Sequence, residues 1–337
     1  MKNNDTLIKI RDLTVTYRTR QGPVSAVDHI SFDIRRGEIL GLVGESGCGK
    51  STMGKALMRM IPPPATITAE EYLFDGMEVM FFNDDQLRDF RGRRISMIFQ
   101  DPLTSLNPVL RVDEHIMEAI QVHEKKTTTS NALKRAKKLI GRLGIKEDRL
   151  ASYPHQLSGG MRQRVMIGLG LVLNASLIVA DEATTSLDVI VEAKLVDQLR
   201  EIRDEFGVAI LAISHNIALV AQLADRVAVM YAGHLVEIGQ AEEIFHDPLH
   251  PYTRGLMKSV PNIKVDELEE LYKMGGEPPN LAHPPEGCRF HPRCPKAMPV
   301  CSQIPPRITP MSSRRVVECW LYQEDLPKDG MQEKRNQ

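Results

Sequence analysis

The stretch Glu38-Ile-Leu-Gly-Leu-Val43, continued by Gly44-Glu45-Ser46-Gly47-Cys48-Gly49-Lys50-Ser51, decides the fold. Its first half is an apolar run ending at a glycine cluster, as a buried parallel strand does. Its second half has two glycines, Gly44 and Gly49, enclosing four residues and followed by Lys50 and Ser51. That is the phosphate-binding loop pattern. Glycines let successive backbone N–H groups curl around phosphate oxygens, and the following helix directs its positive N-terminal end at the same place. Lys50 is expected to neutralise the β and γ oxygens and the Ser51 hydroxyl to ligate Mg²⁺. Residues 52–60 read as the helix, stopped by Pro62-Pro-Pro64. With strand before and helix after, the motif stands in the context it requires, and a nucleotide site on an α/β sheet is expected.

A second stretch supplies the complement. Leu177-Ile-Val-Ala180 is a buried strand that ends in two carboxylates, Asp181 and Glu182. A parallel sheet presents the C-terminal ends of its strands to the ligand crevice. Asp181 can hold Mg²⁺ through water, and Glu182 can polarise the attacking water. Leu157-Ser158-Gly159-Gly160-Met161 then offers a hydroxyl and exposed N–H groups at the start of a predicted helix, a second anion-reading turn. One phosphate loop and a separate anion-reading turn in one chain point to a nucleotide sandwiched between two subunits.

Around these motifs the chain alternates strand and helix. Residues 7–17 alternate with period two, a turn falls at Gln21-Gly-Pro23, and residues 27–34 form a second strand before Arg35-Arg-Gly37. Residues 101–157 are richer in helical pattern; in the helix expected at 131–143, Lys134, Arg135, Lys137 and Lys138 read as a solvated face. Residues 209–213 read as a buried strand, 189–206 as an amphipathic helix, and 227–231 with 234–238 as a hairpin about Ala232-Gly233. After Phe245 prolines cluster and periodicity fades. The expected division is a nucleotide-binding domain at 1–250, with a helical part at about 101–160, and a loop-rich extension at 251–337.

Composition narrows the class. With 337 residues, 42% hydrophobic and 26% charged, a sizeable core is available and global disorder is excluded. Lys+Arg 43 against Asp+Glu 44 leaves a net charge of −1, which argues against a chain that coats nucleic acid. The N-terminal Met1-Lys-Asn-Asn-Asp-Thr6 has no apolar core of a secretion signal. The longest weakly polar run, 165–180, is interrupted by Gly168, Gly170, Asn174 and Ser176, too short and broken to span a bilayer. A soluble, cytoplasmic chain is expected. Of five cysteines, Cys288, Cys294, Cys301 and Cys319 fall within the last 50 residues, a pattern closer to a metal or cluster site than to a disulfide framework. Cys48 lies in the phosphate loop, where a helix N-terminus can lower a thiol pKa, so inhibition by thiol reagents is expected.

Read in order, Tyr17, the Gly44–Ser51 loop, Gln100, Leu157–Met161, Asp181-Glu182, Ser186-Leu187-Asp188 and His215 resemble the motif series of ABC transporter ATP-binding subunits, over nearly the whole chain. The resemblance implies an ABC-type nucleotide-binding domain: a P-loop NTPase core, an N-terminal antiparallel β subdomain and a helical subdomain. It implies that Tyr17 stacks on adenine and that Gly44, Glu45, Ser46, Gly47, Cys48, Gly49, Lys50, Ser51 and Thr52 bind the nucleotide. Ser51, Gln100 and Asp181 would serve Mg²⁺, while Ser158, Gly159, Gly160 and Asp188 would complete the sandwich. Glu182 would be the general base of ATP hydrolysis, His215 the γ-phosphate contact, and Gln100 the coupling to membrane subunits. Two positions depart from the family pattern: Ala183 stands where proline is usual and Asn216 where aspartate is common.

The tail narrows the resemblance. His250-Pro-Tyr252-Thr-Arg-Gly-Leu256, then Gly287-Cys288-Arg-Phe-His-Pro-Arg-Cys294-Pro and Cys301, are similar to the tail of peptide-permease ATPases, a group that includes dipeptide, oligopeptide and nickel importers. This implies a peripheral ATPase on the cytoplasmic face of a bacterial or archaeal membrane. Its partners would be a second ABC ATPase in a heterodimer, two transmembrane permeases and an extracytoplasmic binding protein, with no nucleic acid. The cysteines are separated by five, six and seventeen residues. Four thiolates can hold a 4Fe–4S cluster or zinc, and the short gaps of zinc knuckles are absent. ATP, Mg²⁺ and a 4Fe–4S cluster, with zinc as the alternative, are therefore the expected cofactors. A nickel or metal-chelate importer is the same-fold alternative. DNA-repair relatives insert a long coiled coil, of which no heptad run between Ser51 and Leu157 gives a sign, and ribosome-associated relatives carry two such domains where this chain has a single phosphate loop.

Overall fold

The structure is a computed structural model and describes residues 5–20, 22–99, 105–182, 189–259 and 274–324, without the side chains of 189–195. The chain begins with β1 (Thr6–Thr19), β2 (Gly22–Arg35), β3 (Ile39–Val43), α1 (Lys50–Leu57), β4 (Thr66–Thr68), β5 (Glu71–Phe74), β6 (Met77–Glu78), α2 (Asp84–Arg93) and β7 (Ile95–Ile98). It continues with α3 (Val112–His123), α4 (Thr129–Arg142), α5 (Gly159–Leu171), β8 (Leu177–Asp181), α6 (Val189–Phe206), β9 (Ala209–Ile213) and α7 (Ile217–Leu223). The last elements are β10 (Arg226–Tyr231), β11 (His234–Gln240), α8 (Ala241–His246), α9 (Pro251–Lys258), β12 (Ile308–Pro310) and β13 (Val316–Glu318). The described residues gather into two compact units: one of those within 5–8, 34–39 and 73–213, the other of those within 9–33, 40–72 and 214–324.

In the first unit, β7, β8 and β9 run parallel, with Ile95 opposite Leu177 and Leu177 opposite Ala209. Every residue of β8 and β9 is buried, which is why both read as continuous apolar runs without alternation. Helix α4 buries Ala132, Ala136, Leu139 and Ile140, positions spaced to share one face. Lys134, Lys137 and Lys138 are exposed opposite them, as expected of a solvated face. Arg135 departs from that reading, because its guanidinium bonds Glu124 Oε2 at 2.6 Å and the Val172 carbonyl at 2.8 Å. Partly exposed, it also ties α4 to its neighbours.

In the second unit the strands lie in the order β12, β13, β11, β10, β3. β10 is parallel to β3, from Arg226 opposite Leu40 to Val229 opposite Val43, while β11, β13 and β12 add antiparallel. The β10–β11 hairpin turns at Ala232 and Gly233 with φ of +47° and +88°, the two positive angles of a primed turn that matches strand twist. Helix α1 starts at Lys50 and ends at Leu57, before the proline run. Arg59, left-handed at φ +54°, closes it while the Met60 N–H donates to the Lys55 carbonyl at 2.9 Å, satisfying a carbonyl that the helix end leaves open.

The shift of composition near residue 250 does not stop the sheet. Val317 of β13 pairs with Glu237 of β11, so the extension supplies two strands to the sheet that contains β3. Glu237 is wholly buried. It accepts from the Leu249 and His250 N–H groups and from Arg315 Nη2, each at 2.9 Å. A buried carboxylate is tolerated when donors surround it, and here those donors join β11, the turn before α9 and the strand pair of the tail. Among the described residues no helix is long and apolar enough to cross a membrane.

Candidate nucleotide site

The phosphate loop leaves β3 and enters α1 within the second unit. Gly44 has φ +156°, and a Cβ placed there would lie 2.1 Å from the Met230 carbonyl oxygen. At Gly49, φ +109°, it would lie 2.0 Å from the Ala26 carbonyl oxygen. Both glycines of the motif are therefore demanded by close backbone approach as well as by conformation. The Gly233 N–H of the hairpin turn donates to the Cys48 carbonyl at 2.9 Å, and the Met53 N–H starts the helix on the Gly49 carbonyl at 2.9 Å. Lys50 is buried, and its ammonium donates to the carbonyls of Gly44 at 2.8 Å and Glu45 at 3.0 Å. Its charge thus sits inside the curl of the loop.

Cys48 corrects the sequence expectation of a reactive thiol. The side chain is buried, and burial pushes its pKa up by more than the Lys50 charge pulls it down. Loss of solvent outweighs the Lys50 charge and the backbone N–H bonds that favour the thiolate.

Glu45 is the most heavily anchored residue of the loop. Its N–H donates to Tyr252 Oη at 2.9 Å, and its carboxylate accepts from Arg293 Nη1 at 2.8 Å and Nη2 at 3.0 Å. Arg293 Nη1 also donates to Tyr231 Oη at 3.2 Å, with the guanidinium 5.7 Å from the centre of that ring. Tyr231 and Tyr252 lie 4.5 Å apart by ring centres, and Phe290 packs T-shaped on both. Sequence reading did not assign Arg293 or Tyr252 to the site. Tyr252 stood only as a marker of the tail, and Arg293 lies 248 positions from Glu45.

Two further expected residues lie in this unit. Tyr17 is half-buried, its hydroxyl 3.5 Å from Thr52 Oγ1, so its ring stands beside the first turn of α1. His215 is exposed, and the Ser214 N–H just before it donates to the Leu42 carbonyl at 3.1 Å, two residues ahead of Gly44. Asn216 accepts from the Leu219 N–H at 3.2 Å as the N-cap of α7. Asn and Asp cap about equally well, so this departure from the family pattern keeps the helix start intact.

The first unit holds the other expected groups. Asp181 ends β8 and is buried. Glu182 follows with φ +46°, its N–H donating to the Ile213 carbonyl at 2.9 Å. A left-handed non-glycine residue costs roughly 1–2 kcal/mol, and such strain gathers at functional positions. Ser158 caps α5, its hydroxyl accepting from the Met161 N–H at 3.4 Å. Ser158, Gly159 and Gly160 are all exposed. Gln100, Ala183, Ser186, Leu187 and Asp188 lie outside the described residues.

All five cysteines are free thiols. The Cys288 N–H donates to the Cys301 carbonyl at 2.8 Å. Burial pushes the Cys288 thiol up to about 12 and that of Cys319 up to about 11, and the neighbouring thiols add to both shifts. Sulfur is the donor type of zinc and iron–sulfur sites. Among the described residues, however, no three His, Cys, Asp or Glu side chains are gathered so as to hold a metal ion.

Residues 27–185 match the family model described as ABC transporter. A strand, a phosphate loop with its lysine folded inward, an acidic strand end and a capped Ser-Gly-Gly helix are what that match covers, and the chain belongs to the ABC transporter family as an ATPase with the ABC nucleotide-binding fold. Residues 236–301 match a second model, Oligopeptide/dipeptide transporter, C-terminal region. The chain is 42% identical over 321 residues to the dipeptide transport ATP-binding protein DppD of Bacillus subtilis, covering 94% of this chain and 95% of that one. It is 42% identical over 324 residues to the oligopeptide transport ATP-binding protein OppD of Escherichia coli, covering 96% and 95%. Among solved structures it is similar to a dimeric ATP-binding cassette in a post-hydrolysis state bound to ADP and Pi, with TM-score 0.61 and 26% identity over 69% of this chain and 98% of that one. CbiO1 of Clostridium perfringens, part of an ABC transporter complex, gives TM-score 0.62 and 27% identity over 72% and 92%.

Proposed function

We propose that this chain is the ATP-binding and hydrolysing subunit of an importer for dipeptides or oligopeptides. The observation that carries the reading is the tail: it matches the oligopeptide/dipeptide transporter region, and relatives named for peptide transport align along nearly the whole chain, tail included. Membrane permeases are the partners such an ATPase drives. A heterodimer with a second ABC ATPase, two permease subunits and an extracytoplasmic binding protein complete the proposed assembly, with this chain on the cytoplasmic face. Phe81 and Val109, 86% and 73% exposed, leave apolar surface for a partner to cover.

In this reading the loop 44–52 curls its N–H groups around the triphosphate, and Lys50 turns its ammonium to the β and γ oxygens. Tyr17 stacks on the base. Glu182 takes the proton of the attacking water, Gln100 couples the site to the membrane subunits and serves Mg²⁺ beside Ser51 and Asp181, and His215 meets the γ-phosphate. Ser158, Gly159 and Gly160 of one subunit, with Asp188, close the nucleotide against the loop of the other. Ser51 and Asp181 carry the oxygen donors that suit Mg²⁺, which when bound neutralises phosphate charge. The domain division proposed is 1–250 for the cassette and 251–337 for the extension. Cys288, Cys294, Cys301 and Cys319 are proposed as ligands of a 4Fe–4S cluster, with zinc as the alternative. Iron and zinc analysis of anaerobically purified protein decides between them, and protein with neither metal rejects both.

Uptake of labelled di- and tetrapeptides, beside labelled nickel, in cells carrying Glu182→Gln tests the function. Removing a general base lowers turnover by about 10²–10⁴-fold, so peptide uptake should collapse while nickel uptake stays. Loss of nickel uptake alone would overturn the peptide assignment in favour of a metal importer.

A further inference from the structure

The tail grips the phosphate loop at a charge that phosphate binding does not call for. Within Gly44–Ser51 the charged residues are Glu45 and Lys50, so the acidic side chain cancels the basic one beside a polyanionic ligand. The Lys50 ammonium already bonds the Glu45 carbonyl at 3.0 Å, which keeps the carboxylate within one residue of the cation meant for phosphate. Left alone, that carboxylate would repel the triphosphate and compete for Lys50.

Arg293 removes the problem. Its side chain is 6% exposed, and its fork meets both Glu45 oxygens, at 2.8 and 3.0 Å. The same guanidinium is fixed on two further sides, Nε donating to the Gly275 carbonyl at 2.9 Å and Nη1 to Tyr231 Oη at 3.2 Å. A planar fork held on three sides loses little freedom on pairing. Tyr252, wholly buried, holds the Glu45 N–H from the other direction. It is placed in turn by His250, whose Nδ1 accepts from the Tyr252 N–H at 3.0 Å.

We infer that Arg293 is a positioning residue of the nucleotide site: by pairing with Glu45 it turns the loop's charge from neutral to positive and, with Tyr252, sets the loop's entry for the triphosphate. In this assignment Arg293 acts through Glu45, on whose carboxylate both of its terminal nitrogens sit. The inference rests on the reading of residues 44–51 as the nucleotide loop.

The test is MgATP affinity and steady-state hydrolysis of the full chain with Arg293→Met, Arg293→Lys, Glu45→Gln, the double variant Arg293→Met/Glu45→Gln, and Lys50→Ala. Methionine keeps an apolar stem beside Gly276, where the Arg293 Cγ and Cδ lie, so packing there is preserved while the charge is removed. Arg293→Met is expected to raise Kd and KM for MgATP about tenfold with kcat little changed, since it orphans a half-buried carboxylate beside the ligand. Glu45→Gln gives the affinity of a loop without its carboxylate, whatever that value is, and the double variant should return to it within about twofold. Arg293→Lys, which keeps charge but loses the fork, should fall between. Added salt should shrink the Arg293→Met defect. A double variant as weak as Arg293→Met, or an Arg293→Met chain with lowered Tm and unchanged Kd, would overturn the inference and leave a merely structural tie. If Lys50→Ala binds MgATP normally, the nucleotide reading of the loop fails, and the inference with it.

Discussion

The phosphate loop and the Ser158-Gly159-Gly160 turn are both glycine turns at the start of a helix, and they differ in what holds them. The loop is pressed between the Met230 and Ala26 carbonyls, with Lys50 folded onto its own backbone and Glu45 held by Tyr252 and Arg293. The Ser-Gly-Gly turn is exposed, and a Cβ added at either glycine would meet nothing within 4 Å. Glycine in the first is required by the fold of this chain. In the second no neighbour within its own unit requires it; in the proposed dimer, what would dock there is the nucleotide on the other subunit's loop. The contrast separates a turn whose shape is held by its neighbours from one that its own unit leaves open.

Gly44→Ala attacks the stored shape and carries the largest expected effect. Its Cβ would lie 2.1 Å from the Met230 oxygen, and overpacking of that kind costs ~1–3 kcal/mol. MgATP binding should be lost, and Tm should fall by about 2–4 °C for each kcal/mol; calorimetry and nucleotide titration check both together. Gly159→Asp attacks the open shape. Hydrolysis should drop roughly 10²-fold, because a carboxylate added beside the N–H groups proposed to meet phosphate would repel it. Tm should hold or rise, because a negative residue in a first helical turn stabilises by about 0.3–1 kcal/mol. A Tm loss in Gly159→Asp equal to that of Gly44→Ala would erase the contrast.

The smallest effect is a slope. His250 supports the anchored side and is fully buried, which pushes its pKa from 6.5 down to about 3. The unfolded chain therefore takes up the proton first. The stability tied to neutral His250 is full above about pH 6.5 and is lost as pH falls toward about 3. His250→Asn keeps a helix-capping acceptor but does not titrate. Unfolding free energies from urea titrations between about pH 7 and about pH 5 should decline less steeply for the variant, by up to about 1.4 kcal/mol per pH unit. Parallel declines would show that His250 is not the proton acceptor.

How much of this could be read from sequence follows from how local each cause is. Helix 189–206 and strand 209–213 were legible to the residue, and both are found at those bounds, because an amphipathic period and a short apolar run are local signals. The phosphate loop, the acidic strand end and the Ser158 cap were legible for the same reason. The Glu45–Arg293 pair was not, since no spacing rule spans 248 positions. Cys48 misled because a helix end is visible in sequence and burial is not. The tail strands, three residues each, are too short to show a period, so the tail read as loop although it completes a sheet.

That completion has a further consequence for the chain as a solute. Without β13, β11 would be an edge strand, its unpaired N–H and C=O groups a template for any other strand. β13 covers Glu237 and Ile238, and β12 outside it carries Pro310, which has no N–H to offer. The tail is thus a hem on the sheet, and a chain shorn of residues 308–318 would suffer first from self-association, before any failure of its chemistry with ATP.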